Sequence, residues 1–160
     1  MVDVVVDAAN AVGSRPDGWW RDRAGAARRL LEQLSVLAEQ PSVAGPASVP
    51  ATDPPRALFV GDVHAVLEGA ARWASAEGLR DGVHVHLAPA DGDSAVAALT
   101  DRLVAEGRSV LVVTADRGLR ARLPPAARTA GPGWLRDLLD ALPRGGGAAR
   151  RGRPEDQPGD

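Results

Sequence analysis

The chain has 160 residues, enough for one domain with a substantial core, and 44% of them are hydrophobic, which excludes wholesale disorder. Cysteine and lysine are both absent, so disulfides, thiolate metal sites, Schiff-base chemistry and a lysine-containing phosphate loop are excluded. The formal net charge of −2 does not indicate a nucleic-acid partner, so any such indication must come from local clusters of charge.

The first third of the chain predicts a strand, a loop, a helix and a second loop. Val2–Val6 is a nearly continuous run of β-branched residues, which is typical of a buried parallel strand. Residues 10–21 contain a Pro-Asp-Gly turn and are expected to form a loop. Apolar residues at helical spacing then predict a helix from Asp22 to about Glu39. Five prolines within residues 41–55 predict a flexible loop.

Strands and helices are predicted to alternate through the rest of the chain. The predicted strands are Ala57–Val60, Val83–Leu87 and Ser109–Val113. The predicted helices are Val63–Glu77, Asp93–Glu106, Arg117–Leu123 and Trp134–Leu142. We therefore expect one domain over residues 1–142, followed by a disordered tail over residues 143–160, which are rich in Gly, Arg and Pro.

This alternation predicts an α/β protein with three layers and a central, mainly parallel sheet of four or five strands. In such sheets the chemistry lies at the carboxyl ends of the strands. Acidic residues are predicted at each of these ends: Asp7, Asp62, Asp93 and Asp116. Carboxylates that share a cleft repel one another, and a hard divalent ion such as Mg²⁺ or Mn²⁺ would relieve that repulsion. The pattern favours metal-assisted hydrolysis of a phosphodiester.

Helix capping is the structural alternative for these acids. Aspartate is a preferred N-cap residue, and Asp62, Asp93 and Asp116 each precede a predicted helix. Asp7 differs, because the next predicted helix begins about fifteen residues later and leaves it with no helix to cap. Asp91 is interpreted as the first residue of an Asp-Gly turn. The four acids together favour a site over four independent caps.

Arginine clusters follow two of the strands that end in acids. Residues 11–29 hold five arginines against two aspartates, together with the pair Trp19 and Trp20, and residues 117–128 hold four arginines and no acid. Such a distribution fits a phosphate polymer whose flanks meet guanidinium groups and whose unpaired bases stack on tryptophan. The alternatives are that a tryptophan anchors the loop to the core and that the arginines form ordinary solvated faces.

The three histidines give weaker indications. His84 and His86 alternate with apolar residues, which is typical of a strand with one polar face, and they lack further ligands nearby for a zinc site. His64 closely follows Asp62 and is interpreted as a surface residue.

Four short motifs resemble those of a known family. The run from Val4 to Asn10 resembles the first strand and Asp-x-x-Asn motif of NYN domains, the PIN-like ribonucleases. Asp62-Val63-His64 resembles the Asp-x-His motif of the YacP-like branch, and Asp93 to Val96 resembles the start of a helix in that branch. The segment from Val112 to Arg117 is similar to its Val-x-Thr-Ser-Asp motif.

The resemblance implies a PIN-like, Rossmann-like fold and an endoribonuclease that depends on Mg²⁺ or Mn²⁺. It places Asp7, Asp62, Asp93 and Asp116 near the metal, and our hypothesis is that Asn10 assists by orienting a water or a phosphate oxygen. The catalytic candidates are thus Asp7, Asn10, Asp93 and Asp116. The substrate-binding candidates are Arg15, Trp19, Arg23, Thr114, Arg117 and Arg120.

The expected partner is single-stranded RNA, with messenger or structured RNA as candidates. A metal-dependent nucleotide phosphohydrolase and a non-catalytic scaffold that binds RNA or protein remain alternatives. No apolar run approaches the ~20 residues of a membrane span, and no basic segment precedes the first strand. We therefore expect a cytoplasmic protein with no membrane partner.

Overall fold

A computed structural model describes residues 1–49 and 57–143 of the chain. Within these ranges, the strands are β1 (Val2–Asp7), β2 (Ser42–Ala44), β3 (Ala57–Leu67), β4 (Gly78–Arg80), β5 (Val83–Leu87), β6 (Ser109–Val113) and β7 (Arg128–Ala130). The α-helices are α1 (Ala8–Gly13), α2 (Arg23–Ala38), α3 (Gly92–Ala105), α4 (Arg117–Arg122) and α5 (Pro132–Ala141). Short 3₁₀ helices cover Trp19–Arg21 and Gly69–Ala74.

The seven strands of the described residues form one mainly parallel sheet in the order β4-β5-β3-β1-β6-β7, with β2 paired to β3. The pairs that involve β2 and β4 are antiparallel, and the other pairs are parallel. The predicted α/β class with a mainly parallel sheet is confirmed. The prediction of four or five strands was too low, because β2, β4 and β7 have only three residues each and carry no clear alternating pattern.

The core has two parts because side chains of β1 alternate between the two faces of the sheet. Val4 and Val6 pack with leucines of α2 and α5, including Leu34 and Leu135. Val5 packs on the other face with residues of α3 and α4. These two clusters make the three layers that the sequence predicts.

The structure corrects the prediction for residues 63–77. The predicted helix is wrong: β3 continues to Leu67, and a 3₁₀ helix and β4 follow it. Val63, Val66 and Leu67 have helical spacing, but the segment is buried on both faces between β1 and β5, where a strand also carries a continuous apolar run. Asp62 is therefore inside a strand and not at its carboxyl end.

The structure also corrects the loop predicted for residues 10–21. Helix α1 begins directly after β1 and is only six residues long, which is too short to show a periodic pattern. The helix predicted from Asp22 to about Glu39 is confirmed as α2, which Asp22 caps by accepting a hydrogen bond from the backbone N–H of Gly25 at 2.9 Å.

Two expectations concern parts of the chain that are only partly described. Within the predicted flexible loop, residues 42–44 form β2 against β3, and residues 50–56 lie outside the described residues. All but the first residue of the predicted tail also lie outside them. Among the described helices, none combines the length and the apolar character that crossing a membrane requires.

Candidate active site

The ends of β1 and β6 are adjacent, as the sequence predicts for Asp7 and Asp116. The two strands run parallel with Val6 opposite Val113, so Asp7 and Thr114 emerge side by side. The Thr114 hydroxyl donates to Asp7 Oδ2 at 3.2 Å and accepts from the backbone N–H of Asp116 at 3.1 Å. One buried hydroxyl thus links both aspartates, and Thr114 positions these acids from beneath the surface.

Asn10 is the second link between the two strand ends. Its backbone N–H donates to Asp7 Oδ1 at 3.5 Å, and its side-chain Oδ1 accepts from the backbone N–H of Ala115 at 2.9 Å. Asp7 is therefore the N-cap of α1, and the expectation that it has no helix to cap is wrong. Capping and a place in the site coexist here, because both carboxylate oxygens face the junction of the two strands.

Asp93 reaches the same edge from the first turn of α3. The N-cap of this helix is Asp91, which accepts from the backbone N–H of Ser94 at 2.8 Å, so Asp91 is a cap in addition to a turn residue. Asp93 instead lies beside Asp116, close enough for a hydrogen bond between the two carboxyl groups when one of them is protonated.

The pKa values of this pair move in opposite directions. Burial raises the pKa of Asp93, and the hydrogen bond and negative charge of Asp116 raise it further. The pKa of Asp116 is lowered, chiefly by the hydrogen bond that it accepts from the backbone N–H of Leu119. Of the two, Asp116 is therefore the more readily ionised and Asp93 the more readily protonated.

Glu68 is a fourth carboxylate of the site that the sequence analysis missed. It follows the last residue of β3, and its Oε2 accepts a hydrogen bond from the backbone N–H of Gly92. A Cβ at Gly92 would lie 2.8 Å from that oxygen, so the glycine allows the close approach. The predicted helix over residues 63–77 placed Glu68 inside a helix, so the sequence analysis did not select it. Because β3 ends at Leu67, Glu68 lies at the carboxyl end of a parallel strand, where site residues are expected.

Burial and neighbouring negative charges both disfavour the ionised form of Asp7. Burial raises its pKa from 3.8 to about 6, against the lowering effect of hydrogen bonds from Asn10 and Thr114. The negative charges of Asp93 and Glu68 contribute a smaller part of this increase. We name Asp7, Glu68, Asp93 and Asp116 the carboxylate cluster. A cation in this cluster would oppose each of the charge effects that raise these pKa values.

The donor atoms of the carboxylate cluster suit a hard divalent ion. All are carboxylate oxygens, which Mg²⁺ and Mn²⁺ prefer. The ligand atoms of the carboxylate cluster do not converge tightly. Within the described ranges, three acidic or histidine side chains bring their ligand atoms within 4.8 Å of one another only at Asp3, Asp62 and His64, in a different part of the sheet. An ion at the carboxylate cluster would therefore resemble Mg²⁺ sites in which one or two carboxylates suffice and water supplies the other ligands.

A cavity of about 400 Å³ opens beside the carboxylate cluster. Trp19, Arg23, Glu68 and Asp91 line it together with small residues of α1. The Arg23 guanidinium lies 5.5 Å from the centre of the Trp19 ring, a distance typical of a cation–π contact. The structure thus brings Trp19 and Arg23, two of the substrate-binding candidates, to the edge of the carboxylates.

The other arginine candidates have different surroundings. Arg15 pairs with Asp140 at 2.8 Å and lines another cleft, of about 820 Å³, between α1, α2 and α5. The Arg120 guanidinium donates to the backbone carbonyl of Thr114 at 2.6 and 3.1 Å, so it supports the loop beneath the site. Arg117 is exposed at the first position of α4, next to Asp116.

Asp62 does not join the carboxylate cluster. Asp7 is level with Val66 across the sheet, so Asp62 lies four residues earlier on β3, or about 13 Å along the strand. It binds Arg108 at 2.9 Å, and Arg108 also pairs with the buried Asp3. The prediction that placed Asp62 with the other acids is wrong because β3 runs past it.

His64 is buried, with 5% of its surface exposed, so the expectation of a surface residue is wrong. Its ring stacks against those of His84 and His86 with centroids 4.8 and 5.3 Å away. Burial, together with the charges of His86 and His84, lowers the pKa of His64 to about 4, so His64 is neutral at neutral pH.

The comparisons with known proteins concern the fold. No protein-family model and no curated protein matches this chain. The crystal structure of Rae1 (YacP) from Bacillus subtilis superposes with a TM-score of 0.60 and 14% sequence identity, and covers 88% of this chain and 76% of that chain. At that identity the likeness shows a shared fold, and it is the fold that the resemblance to the YacP-like branch implies.

Proposed function

We propose that this protein is a divalent-metal-dependent endoribonuclease that hydrolyses phosphodiester bonds of single-stranded RNA. The carboxylate cluster carries the proposal, because four acids meet at one sheet edge and the pKa of Asp7 is raised to about 6. The fold shared with Rae1 (YacP) and the cavity lined by Trp19 and Arg23 support it.

The residues that would hold the ion are Asp7, Asp93 and Asp116, with one or two of them binding it directly and the others acting through water, and with Glu68 beside them. When bound, Mg²⁺ or Mn²⁺ would act as a Lewis acid and stabilise the negative charge on the phosphodiester oxygens during hydrolysis. Thr114 fixes Asp7 relative to Asp116 through its two hydrogen bonds. The Leu119 N–H keeps Asp116 ionised, which is the form that binds a cation.

Asn10 would orient the substrate or the attacking water. Its Oδ1 is held by the Ala115 N–H, so its side-chain NH₂ is the group left to donate a hydrogen bond. Phosphate oxygens and water oxygens are both acceptors for such a donor. Its position between the ends of β1 and β6 is next to Asp7, where the scissile phosphate would lie.

The cavity beside the cluster would hold one base of the RNA. Trp19 offers an aromatic face, and stacking of a base on an aromatic side chain contributes about 1–3 kcal/mol. Arg23, next to that ring, would bind a flanking phosphate. Arg117, exposed beside Asp116, would bind a phosphate on the other side of the cluster.

A cleavage assay with linear single-stranded RNA tests this function. The wild-type protein should cut RNA with Mn²⁺ or Mg²⁺ and lose this activity with EDTA. Asp7→Asn and Asp116→Asn should each reduce the rate at least a hundredfold. Asp101→Asn is the matched control, since Asp101 is an exposed acid on α3, and it should cut at the wild-type rate. Equal rates for all four proteins would remove the carboxylate cluster from the reaction.

A nucleotide phosphohydrolase is the second candidate, and the size of the cavity favours it. A volume of about 400 Å³ falls within the range of small-molecule sites. Arg15 binds Asp140 and Arg120 binds the Thr114 carbonyl, so both arginines have partners within the protein in place of a polymer substrate. Release of phosphate or pyrophosphate from nucleoside triphosphates with Mn²⁺, without cleavage of RNA, would select this function in place of the endoribonuclease.

A further inference from the structure

We propose a second metal site, for an ion that prefers imidazole such as Zn²⁺, between His64, Asp3 and Asp62, with His84 as a further ligand. This group, which we name the histidine–aspartate site, lies toward the amino end of β1 and is separate from the carboxylate cluster. It does not depend on the proposed RNA cleavage.

The ligand atoms already converge. One atom each from Asp3, Asp62 and His64 lies within 4.8 Å of the other two. His64 Nε2 is 3.9 Å from Asp3 Oδ2, and His84 Nε2 is 3.9 Å from Asp62 Oδ2. Ligands of a tetrahedral zinc ion with bonds of about 2.0–2.1 Å lie about 3.3–3.4 Å apart. The two pairs at 3.9 Å need to move closer by about half an ångström, and a pair at the 4.8 Å limit by about 1.4 Å.

The buried His64 ring provides independent support for a bound cation. Its Nε2 has no hydrogen-bond partner among the described residues, although the side chain is only 6% exposed. Buried polar atoms without partners are rare in native proteins and call for an explanation such as a bound ion. The unpartnered nitrogen faces two carboxylates, and a cation between them would satisfy all three groups.

His86 can accept the hydrogen bond that fixes the tautomer required for metal binding. His64 Nδ1 lies 3.0 Å from His86 Nε2, so one of these nitrogens donates to the other. When His64 Nδ1–H donates, His64 Nε2 carries a lone pair that points to Asp3. Histidine ligands of metal ions commonly donate their other ring N–H in this way. In the alternative tautomer Nε2–H faces Asp3 Oδ2 at 3.9 Å, which is too long for a hydrogen bond.

The backbone makes room for the buried carboxylate of this site. A Cβ at Gly61 would lie 2.5 Å from Asp3 Oδ1, so only glycine fits at this position of β3. The side chains of Asp62 and His84 are partly exposed, at 47% and 35%, which leaves the site open to an ion from solvent. The ligands come from β1, β3 and β5, so a bound ion would tie three strands together.

Arg108 is the competitor for this ion. Its guanidinium binds both Asp3 and Asp62, and it supplies the positive charge that the carboxylates face in the described structure. A metal ion has to share these oxygens or displace the partly exposed arginine side chain. If a metal ion binds here, removing the Arg108 guanidinium should increase the affinity for that ion. If the group is only an ion-pair network, the same substitution should lower the folding stability and leave metal affinity unchanged.

Zinc titration of tag-free protein by calorimetry, with thermal unfolding in parallel, tests the proposal. Wild type should bind one Zn²⁺ in a site that Asp7→Asn retains, and Zn²⁺ should raise the Tm. His64→Gln and Asp62→Asn should weaken binding at least about tenfold. Arg108→Gln should bind more tightly than wild type.

The arginine variant keeps the test valid if His64→Gln fails to fold. Unchanged Zn²⁺ affinity in Arg108→Gln would overturn the proposal, as would wild-type binding in Asp62→Asn. Zinc binding that disappears in Asp7→Asn would assign the ion to the carboxylate cluster and also overturn it. Cleavage of RNA with Mn²⁺ should be unchanged in Asp62→Asn, so the two proposals succeed or fail separately.

Discussion

The pH dependence of stability should reveal the charge of Asp7 directly. Asp7 is 3% exposed, and its pKa rises from 3.8 to about 6 on folding. Each pKa unit corresponds to about 1.4 kcal/mol, so ionisation of Asp7 costs the folded protein about 3 kcal/mol at pH 8 without metal. The folded-state pKa is the higher one, so the folded protein pays no such cost below about pH 4, where Asp7 is protonated in both states. Its stability falls as the pH rises through about 6 and Asp7 ionises in the folded state.

Asp7→Asn removes this titration while keeping a good N-cap for α1. Urea unfolding in EDTA should therefore show wild type losing about 3 kcal/mol relative to the variant between pH 4 and pH 8. For a chain of 160 residues this corresponds to a Tm difference of about 6–12 °C. The substitution also changes hydrogen bonds, which shifts the free energy of unfolding by the same amount at every pH. The test therefore uses the change with pH in the stability difference between the two proteins.

Metal provides the second half of this test. A bound divalent ion favours the ionised carboxylate, so saturating Mn²⁺ should raise the stability of wild type at pH 8 and have much less effect on Asp7→Asn. Parallel pH profiles of the two proteins in EDTA would refute the argument that burial and neighbouring charges penalise Asp7.

Three further substitutions test individual contacts. Arg23→Gln should reduce the slope of log affinity for single-stranded RNA against log salt concentration by about 0.7. Arg28 is an exposed residue of the same helix, and Arg28→Gln should leave the slope unchanged. Equal slopes for the two variants would exclude a phosphate contact by Arg23. Thr114→Val should cost about 1–3 kcal/mol in urea unfolding and slow RNA cleavage, and Thr114→Ser should restore most of both, because the buried hydroxyl holds two groups of the site. Glu68→Gln should lower the pKa of Asp7 measured by NMR, since it removes one of the negative charges near it; an unchanged titration midpoint would contradict that coupling.

The sequence predicted the parts of the fold in which pattern and environment agree. Strands β5 and β6 have the predicted bounds, Val83–Leu87 and Ser109–Val113, because each is a short apolar segment between polar turns. The placement of Asp7 and Asp116 at the same edge of the sheet followed from one rule, that parallel strands present their carboxyl ends at the same edge.

The errors arose where local pattern and tertiary structure disagree. The apolar spacing in β3 fits a helix as well as a buried strand, and its burial between β1 and β5 decides the outcome. That single error moved Asp62 into the site and concealed Glu68. The contacts of Arg15 with Asp140 and of Arg108 with Asp3 join residues more than a hundred positions apart, which no local pattern reveals.

A circular single-stranded RNA provides the most direct test of the central claim. It has no ends, so an exonuclease or a nucleotide phosphohydrolase cannot act on it. The wild-type protein with Mn²⁺ should convert the circle to a linear product, and Asp116→Asn should leave it intact. Circles that stay intact with active wild-type protein, while nucleoside triphosphates are hydrolysed in the same buffer, would contradict an endoribonuclease at the carboxylate cluster.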